Sequence, residues 1–293
     1  QRKVPRNFTL TRHFKRRNCI MAKKPANEMS FLDHLEELRW LLIRCTIAIL
    51  IGATVAFFFS DFIFDQILFG PKNPDFITYR IFCDLSQEFG LDKSLCVTEI
   101  PMRIQSREMG GQFSAHMWTS ITAGFIVSFP FILYFFWNFI SPALYQNEKK
   151  YARAFVIIAS LLFFIGVLFG YYLIAPLSVN FLSNYNVSKE IFNDIDLASY
   201  ISLLRSSTVA CGIFFELPVI IYFLTKIGLV TPVFLRTYRK YVLIIVLILS
   251  AIITPPDVLS QVIVAIPIMI LYELSILISV VVLKNKEKEI IKT

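Results

Sequence analysis

The sequence predicts an all-α integral membrane protein with six transmembrane helices, both termini cytoplasmic and the last two spans short. Three observations lead there. The chain is 56% hydrophobic and 15% aromatic with only 17% charge, at a mean hydropathy of +0.63, well outside the balance of a soluble domain. Apolar runs near the length needed to cross a bilayer alternate with polar segments. Lys and Arg sit in short clusters between those runs rather than on one soluble face, which argues against a nucleic-acid partner.

Residues 1–29 are strongly basic, with Glu28 their single acid. They resemble a transit peptide in being Arg-rich and acid-poor, yet they have little Ser and no amphipathic run. Met21 followed by AKKPANEMS reads as a natural start, so residues 1–20 are expected to be an extension from start-site assignment. The segment is expected to be disordered.

SFLDHLEELRWLLIR at 30–44 begins the ordered part. Ser30 caps a helix with Asp33 in its first turn, a capping-box pattern. Phe31, Leu35, Leu38 and Leu42 form one apolar stripe, with Asp33, Glu36, Glu37, Trp40 and Arg44 opposite. Such a helix is expected to lie along the membrane surface before turning into the bilayer, its carboxylates facing water. An acidic face there is unusual, because cytoplasmic flanks collect Lys and Arg. By pattern alone it reads as a solvated face with a Glu36–Arg39 pair.

Spans are expected at about 40–59, 115–139, 152–175, 205–227, 241–254 and 262–283. Pro130 should kink the second, Pro176 should end the third and Pro267 interrupts the sixth. Residues 30–283 thus form one membrane domain, followed by a cytoplasmic tail at 284–293. The fifth run is about 21 Å long at ~1.5 Å per residue, short of the ~30 Å hydrocarbon core. Such a mismatch should thin the bilayer locally or draw in partner helices.

Orientation follows from the basic residues. The N-terminal region, 140–153, 226–240 and the tail hold 22 of the 29 Lys and Arg, against seven in 60–114 and 177–205. The positive-inside bias therefore places both termini in the cytoplasm.

Residue chemistry does not suggest an enzyme. His13, His34 and His116 are the only histidines and none lies deep in an apolar run; no Gly-x-Ser-x-Gly, metal-ligand spacing or phosphate loop is present. No cofactor is expected. Glu216, in GIFFELPVIIYF, does stand out, since a carboxylate in hydrocarbon needs a partner or a wet cavity. Pro218 beside it removes an intrahelical hydrogen bond. A protonated Glu satisfied by a neighbouring helix is the plain alternative. Glu273, nearer the cytoplasmic end, reads as structural.

HLEELR at 34–39, FWNFISPALYQNEKK at 136–150, FELPV at 215–219, LRTYRKYV at 235–242 and TPPDVLSQ at 254–261 occur in order at the span boundaries. Together they resemble the signature stretches of TatC, the large six-span subunit of the twin-arginine protein translocase. The likeness covers about 30–283, with a first outer segment longer than expected of the family. It implies a receptor for twin-arginine signal peptides of folded cargo, driven by the proton-motive force in the cell inner membrane. It also implies single-span TatA/TatB-type subunits and further copies of the chain as partners. The receptor positions it implies are Glu37 and Glu148, with Arg39 orienting or partly neutralising the acidic face and Phe139 beside them. Guanidinium binds carboxylate through a bidentate fork that lysine cannot copy. Glu148 alone would read as a first-turn acid after an Asn147 cap. Asp257 and Gln261 also match family positions at the outer turn, where Asp257 is suited to cap the sixth helix.

A small proton-coupled transporter using Glu216 is the rival reading, but such folds carry inverted repeats and the two halves here do not match. Cys83 and Cys96 are the two cysteines that the topology places outside, in a compartment that permits disulfides. They are expected to pair across a Gly90 turn, with two free thiols as the alternative.

Overall fold

A computed structural model describes residues 31–88, 96, 99–140, 152–188, 193–253 and 258–292. Helix α1 (Phe31–Phe58) runs without interruption from the acidic stretch through the first apolar run. The expected surface helix followed by a turn is therefore one rod, about 42 Å long at ~1.5 Å per residue. The stripe of Leu35, Leu38 and Leu42 is exposed on the protein surface, as expected of a lipid-facing side, because nothing polar in the sequence distinguishes a face turned to lipid from one turned to protein.

After α1 the chain reverses through a short α2 (Ser60–Phe62), a π-helical turn Ile63–Leu68 and a 3-10 turn Gly70–Lys72 before α3 (Ile77–Glu88). Carbonyls freed by this reversal are taken up by tyrosines. Tyr171 donates to Ile67 O at 2.7 Å and Tyr200 to Leu68 O at 2.7 Å, while the Tyr79 hydroxyl lies 2.9 Å from Pro71 O and 2.8 Å from Pro176 O. Buried backbone acceptors are rarely left unpaired. Burial also pushes the Tyr79 phenol well above its usual range.

A short β1 (Arg103–Gln105) leads to α4 (Gly111–Ile140), and α5 (Ala152–Phe169) continues through a π-helical turn Gly170–Ile174 into α6 (Ala175–Asn184). Pro176 does not end this helix. The π turn absorbs the residue, and the Tyr172 carbonyl four positions earlier, which proline cannot serve, accepts from Thr78 Oγ1 instead. β2 (Asp194–Asp196) pairs in parallel with β1, Ile104 opposite Ile195. Asp196 then caps α7 (Leu197–Phe215) by accepting from Ala198 N at 3.1 Å.

A break at Glu216 separates α7 from α8 (Leu217–Lys226). α8 ends on Gly228, at φ 85°, with Gly228 N bonded to Thr225 O at 3.0 Å and Leu229 N to Leu224 O at 2.9 Å. This is a Schellman closure that needs a residue tolerant of left-handed backbone. α9 (Pro232–Thr237), α10 (Arg239–Ile253) and α11 (Val258–Lys292) complete the chain. Among the described residues, five helical stretches are long and apolar enough to cross a membrane: Leu35–Phe58, Gly111–Ile140, Phe155–Asn184, Leu197–Lys226 and Gln261–Lys284. α10, at 15 residues, is shorter and packs along α11.

Three apolar clusters hold the bundle. One, around Tyr200, Val179 and Leu68, ties the α1–α2 reversal to α6 and α7; a second joins Ile174 and Cys211 to Val246, Val264 and Ile268; a third sets Ile221 and Leu235 against Tyr272 and Ile276. With no water to expel between lipid-facing helices, contact here relies on small residues that let backbones approach. A Cβ on Gly124 would lie 2.3 Å from Ala53 N, and one on Gly166 2.6 Å from Cys211 O.

Candidate functional site

Glu37 lies on the packed stripe of α1. It is half-buried in line with Leu41 and Ala48, whereas Glu36 and Arg39 point outward and are exposed. The stripe follows spacings of four and seven residues, which share one helix face. Its partner is α4, antiparallel to α1, and the register is set by two contacts. Ser128 Oγ donates to Ala48 O at 2.7 Å, and Gly52 meets Gly124 so closely that a Cβ on Gly52 would lie 2.9 Å from the Gly124 carbonyl oxygen. Eleven residues are almost three whole turns. Counting eleven back from Ala48 reaches Glu37, and eleven on from Ser128 reaches Phe139. Glu37 and the half-buried Phe139 thus share one level of the α1–α4 seam.

The packed-stripe position of Glu37 is not what an apolar-stripe reading selects, since Leu35, Leu38 and Leu42 mark the other side. Among the described residues no side chain or backbone donor engages the Glu37 carboxylate, and Glu36 and Arg39 form no ion pair with each other. Glu37 therefore keeps its acceptor capacity for a ligand. Glu148 and Asp257 lie outside the described residues.

Sequence reasoning missed an aromatic cluster that shares α4 with Phe139. Trp137, two residues before Phe139, is buried, with its ring 4.7 Å from Phe155 and 5.6 Å from Phe223, and those two rings are 4.7 Å apart. The cluster joins α4, α5 and α8 at one end of the bundle. Each ring sits inside an apolar run where periodicity gives no sign of it; the Trp in FWNF was the available signal. Offset and edge-to-face pairs of this kind are worth about 0.5–1.5 kcal/mol each beyond burial, so they stiffen the junction of α4, α5 and α8.

Glu216 stands at the α7–α8 break, 7% exposed, with Oε1 unpartnered among the described residues. The carboxylate is buried there, in place of the expected water-accessible concavity. Its carbonyl accepts from Val219 N and Ile220 N at 3.0 Å, restarting the helix across Pro218. Gln261 Nε2 donates to Leu247 O at 2.9 Å and so ties α11 to α10. Glu273, exposed in part, pairs with Arg239 at 2.6 Å. Cys83 and Cys96 are joined as a disulfide with Cα atoms 4.5 Å apart, fastening α3 to the segment that follows it.

Among the described residues no group of three or more His, Cys, Asp and Glu is placed to hold a metal ion. The features brought together are a half-buried carboxylate with no protein donor among the described residues and a phenyl ring at its level. That arrangement suits binding of a cationic, partly apolar ligand.

Comparison with known proteins places the chain in a family. Residues 33–267 match the family described as Sec-independent protein translocase protein (TatC). The Sec-independent protein translocase protein TatC of Blattabacterium sp. subsp. Periplaneta americana (strain BPLAN) is 44% identical over 265 residues, 90% of this chain and 100% of that protein. The TatC of Aquifex aeolicus (strain VF5) is 37% identical over 261 residues, covering 89% of this chain and 98% of its own. A crystal structure of a twin arginine translocase receptor, TatC, superimposes with a TM-score of 0.65 at 34% identity, covering 85% of this chain and 99% of the solved one. With its helices built to cross a membrane and its signature stretches in order, the chain belongs to the TatC family of Sec-independent protein translocase proteins.

Proposed function

We propose that this chain is the receptor subunit of a twin-arginine translocation system, and that Glu37 and Glu148 grip the paired arginines of cargo signal peptides. The observation that carries the reading is Glu37 itself: a carboxylate on the packed stripe of α1, held level with Phe139, with no protein donor among the described residues. A guanidinium entering there finds a preplaced acceptor, with an aromatic side chain at the same level. Arg39, exposed two residues on, orients or partly neutralises the acidic face when no cargo is bound.

The excess of Lys and Arg near the chain ends supports placing both termini in the cytoplasm of the cell inner membrane, so that Glu37 meets cargo before export. Folded cargo, single-span TatA/TatB-type subunits and further copies of this chain complete the system, with the proton-motive force as the energy source. A proton-coupled small-molecule transporter working through Glu216 is not favoured, since the relatives and solved neighbours are translocase proteins.

The deciding experiment is site-specific crosslinking of a twin-arginine peptide to the purified protein. Glu37→Ala or Glu148→Ala should each weaken capture about tenfold to a hundredfold, the worth of one charge-assisted pair, and the double substitution should nearly abolish it. Undiminished capture by the double variant would refute the assignment.

A further inference from the structure

Arg205 lines a groove that holds no counter-charge. The groove, about 970 Å³, runs between α1, α4, α5 and α7, with walls that include Ile51, Val55, Ile126, Phe131, Val167 and Leu168. Among the described residues Arg205 is the one charged group on its wall. It is half-buried, with no hydrogen-bond or ion-pair partner among them; its guanidinium carbon lies 5.2 Å over the Trp118 ring.

Depth gives this contact meaning. Leu197–Lys226 is 30 residues long, about 45 Å at ~1.5 Å per residue against a hydrocarbon core of ~30 Å. Arg205 lies about 12 Å from the start of that stretch, and so near the boundary between hydrocarbon and headgroups. Trp118, together with Tyr171 and Tyr172 on the groove wall, is of the type that gathers at that boundary. An unpaired arginine there is costly, and a cation–π contact compensates only part of that cost. From Thr119 to Phe131 the groove extends about 18 Å down α4, with a mostly apolar lining.

We infer that the groove is a binding site for an anionic glycerophospholipid of the outer leaflet, whose phosphodiester sits on Arg205 while one acyl chain lies along α1 and α4. Guanidinium and phosphate oxygens form the bidentate pairs that a point charge does not. The apolar walls accept the chain and contain no acid to repel the headgroup. Such a lipid fills the space between α1 and α7 where no side chain does, and makes the α1–α4 pair part of a lipid-mortared wall.

The test is native mass spectrometry of the full chain in detergent with added phosphatidylglycerol. Wild-type protein should retain the lipid, and Arg205→Gln should lower its apparent affinity about tenfold or more. Arg205→Lys should fall between. Ile126→Trp, which fills the groove and leaves Arg205 in place, should lower it as well; should Arg205→Gln fail to fold, the lysine and tryptophan variants decide. Millimolar inorganic phosphate should not displace the lipid. Equal retention by folded Arg205→Gln and Ile126→Trp would overturn the inference. Displacement by inorganic phosphate would also overturn it, as would photo-crosslinking in nanodiscs that finds a peptide's apolar segment, and no phospholipid, in the groove.

Discussion

Ser128 Oγ donates to the Ala48 carbonyl at 2.7 Å, and this bond sets the register that brings Glu37 level with Phe139 at the far end of the same helix pair. The contact depends on how closely the backbones approach at Gly124, where an added Cβ would meet Ala53 N at 2.3 Å. Gly124→Val should therefore force α1 away from α4. We expect a loss of stability at or above the ~1–3 kcal/mol usual for overpacking, seen as a lower unfolding temperature in detergent. Peptide capture should fall with it although Glu37 is untouched. A variant with wild-type unfolding and wild-type capture would show that the seam does not position the carboxylate.

Arginine selectivity gives a second prediction. If Glu37 binds guanidinium through two parallel hydrogen bonds, replacing the peptide's arginines by lysines should cost the wild-type protein most of its affinity. Glu37→Gln should shrink that discrimination about tenfold, because an amide offers one acceptor oxygen and no charge. Fluorescence titration with paired arginine and lysine peptides measures both quantities. Equal discrimination in the two proteins would move the selectivity elsewhere.

The apolar spans and the acidic stretch were legible because composition and residue spacing are local. Which face of α1 meets protein was not. Leu38 and Leu42 belong to the apolar stripe and are exposed, while Glu37, on the side read as solvated, and Ala48 lie on the packed side. In lipid the hydrophobic effect no longer separates inside from outside, and small residues mark the contact instead. The outer segment defeated sequence reading for another reason. The parallel pair of Ile104 with Ile195, and the hydrogen bonds of Tyr79 and Tyr200, join residues far apart in the chain. No periodicity announces them. Pro176 read as a stop because a π turn that lets a helix pass a proline depends on Thr78, which serves the freed carbonyl from a distant segment.

Glu216 separates stability from use. Its Oε1 is buried without a partner among the described residues, and replacing such a group by an apolar one of similar shape is often neutral or stabilising. Glu216→Leu should thus leave the unfolding temperature unchanged or raise it. If the carboxyl is a polar docking point in transport, Glu216→Gln should keep more export than Glu216→Ala or Glu216→Leu, because it retains a hydrogen-bonding side chain. Full export by the Ala and Leu variants would assign Glu216 no role beyond its place at the helix break.

Tyr79 should make the outer cap sensitive to alkali. Its buried hydroxyl shares one proton between the Pro71 and Pro176 carbonyls, and burial holds its phenol protonated above the usual range. A raised pKa in the folded state contributes stability that is complete below the unfolded value, about 10, and is lost as pH rises through the folded one. Hydrogen exchange of α3 should accelerate above pH ~10 in the wild type. Tyr79→Phe should remove most of that pH dependence at a cost of about 1–3 kcal/mol at neutral pH. Unaltered exchange in the variant would show that the hydroxyl does not hold the cap.

The Cys83–Cys96 disulfide anchors the middle of the same helix. α3 is tied to the membrane bundle through Thr78 and Tyr79 near its start, while Cys83, one turn further on, is linked to a residue 13 positions later. The Cα separation of 4.5 Å falls within the range a disulfide spans. Closing a loop of this size is worth about 3 kcal/mol in the chain-entropy account, a large share of the stability of a small outer segment. Non-reducing peptide mapping of protein taken from the membrane should recover one linked fragment. Reduction, or Cys83→Ser with Cys96→Ser, should speed proteolysis of the segment after α3 while the unfolding of the membrane helices stays near wild type. Recovery of both thiols alkylated without prior reduction would mean that the bond does not form in the cell, and that the cap depends on Tyr79 and its neighbours alone.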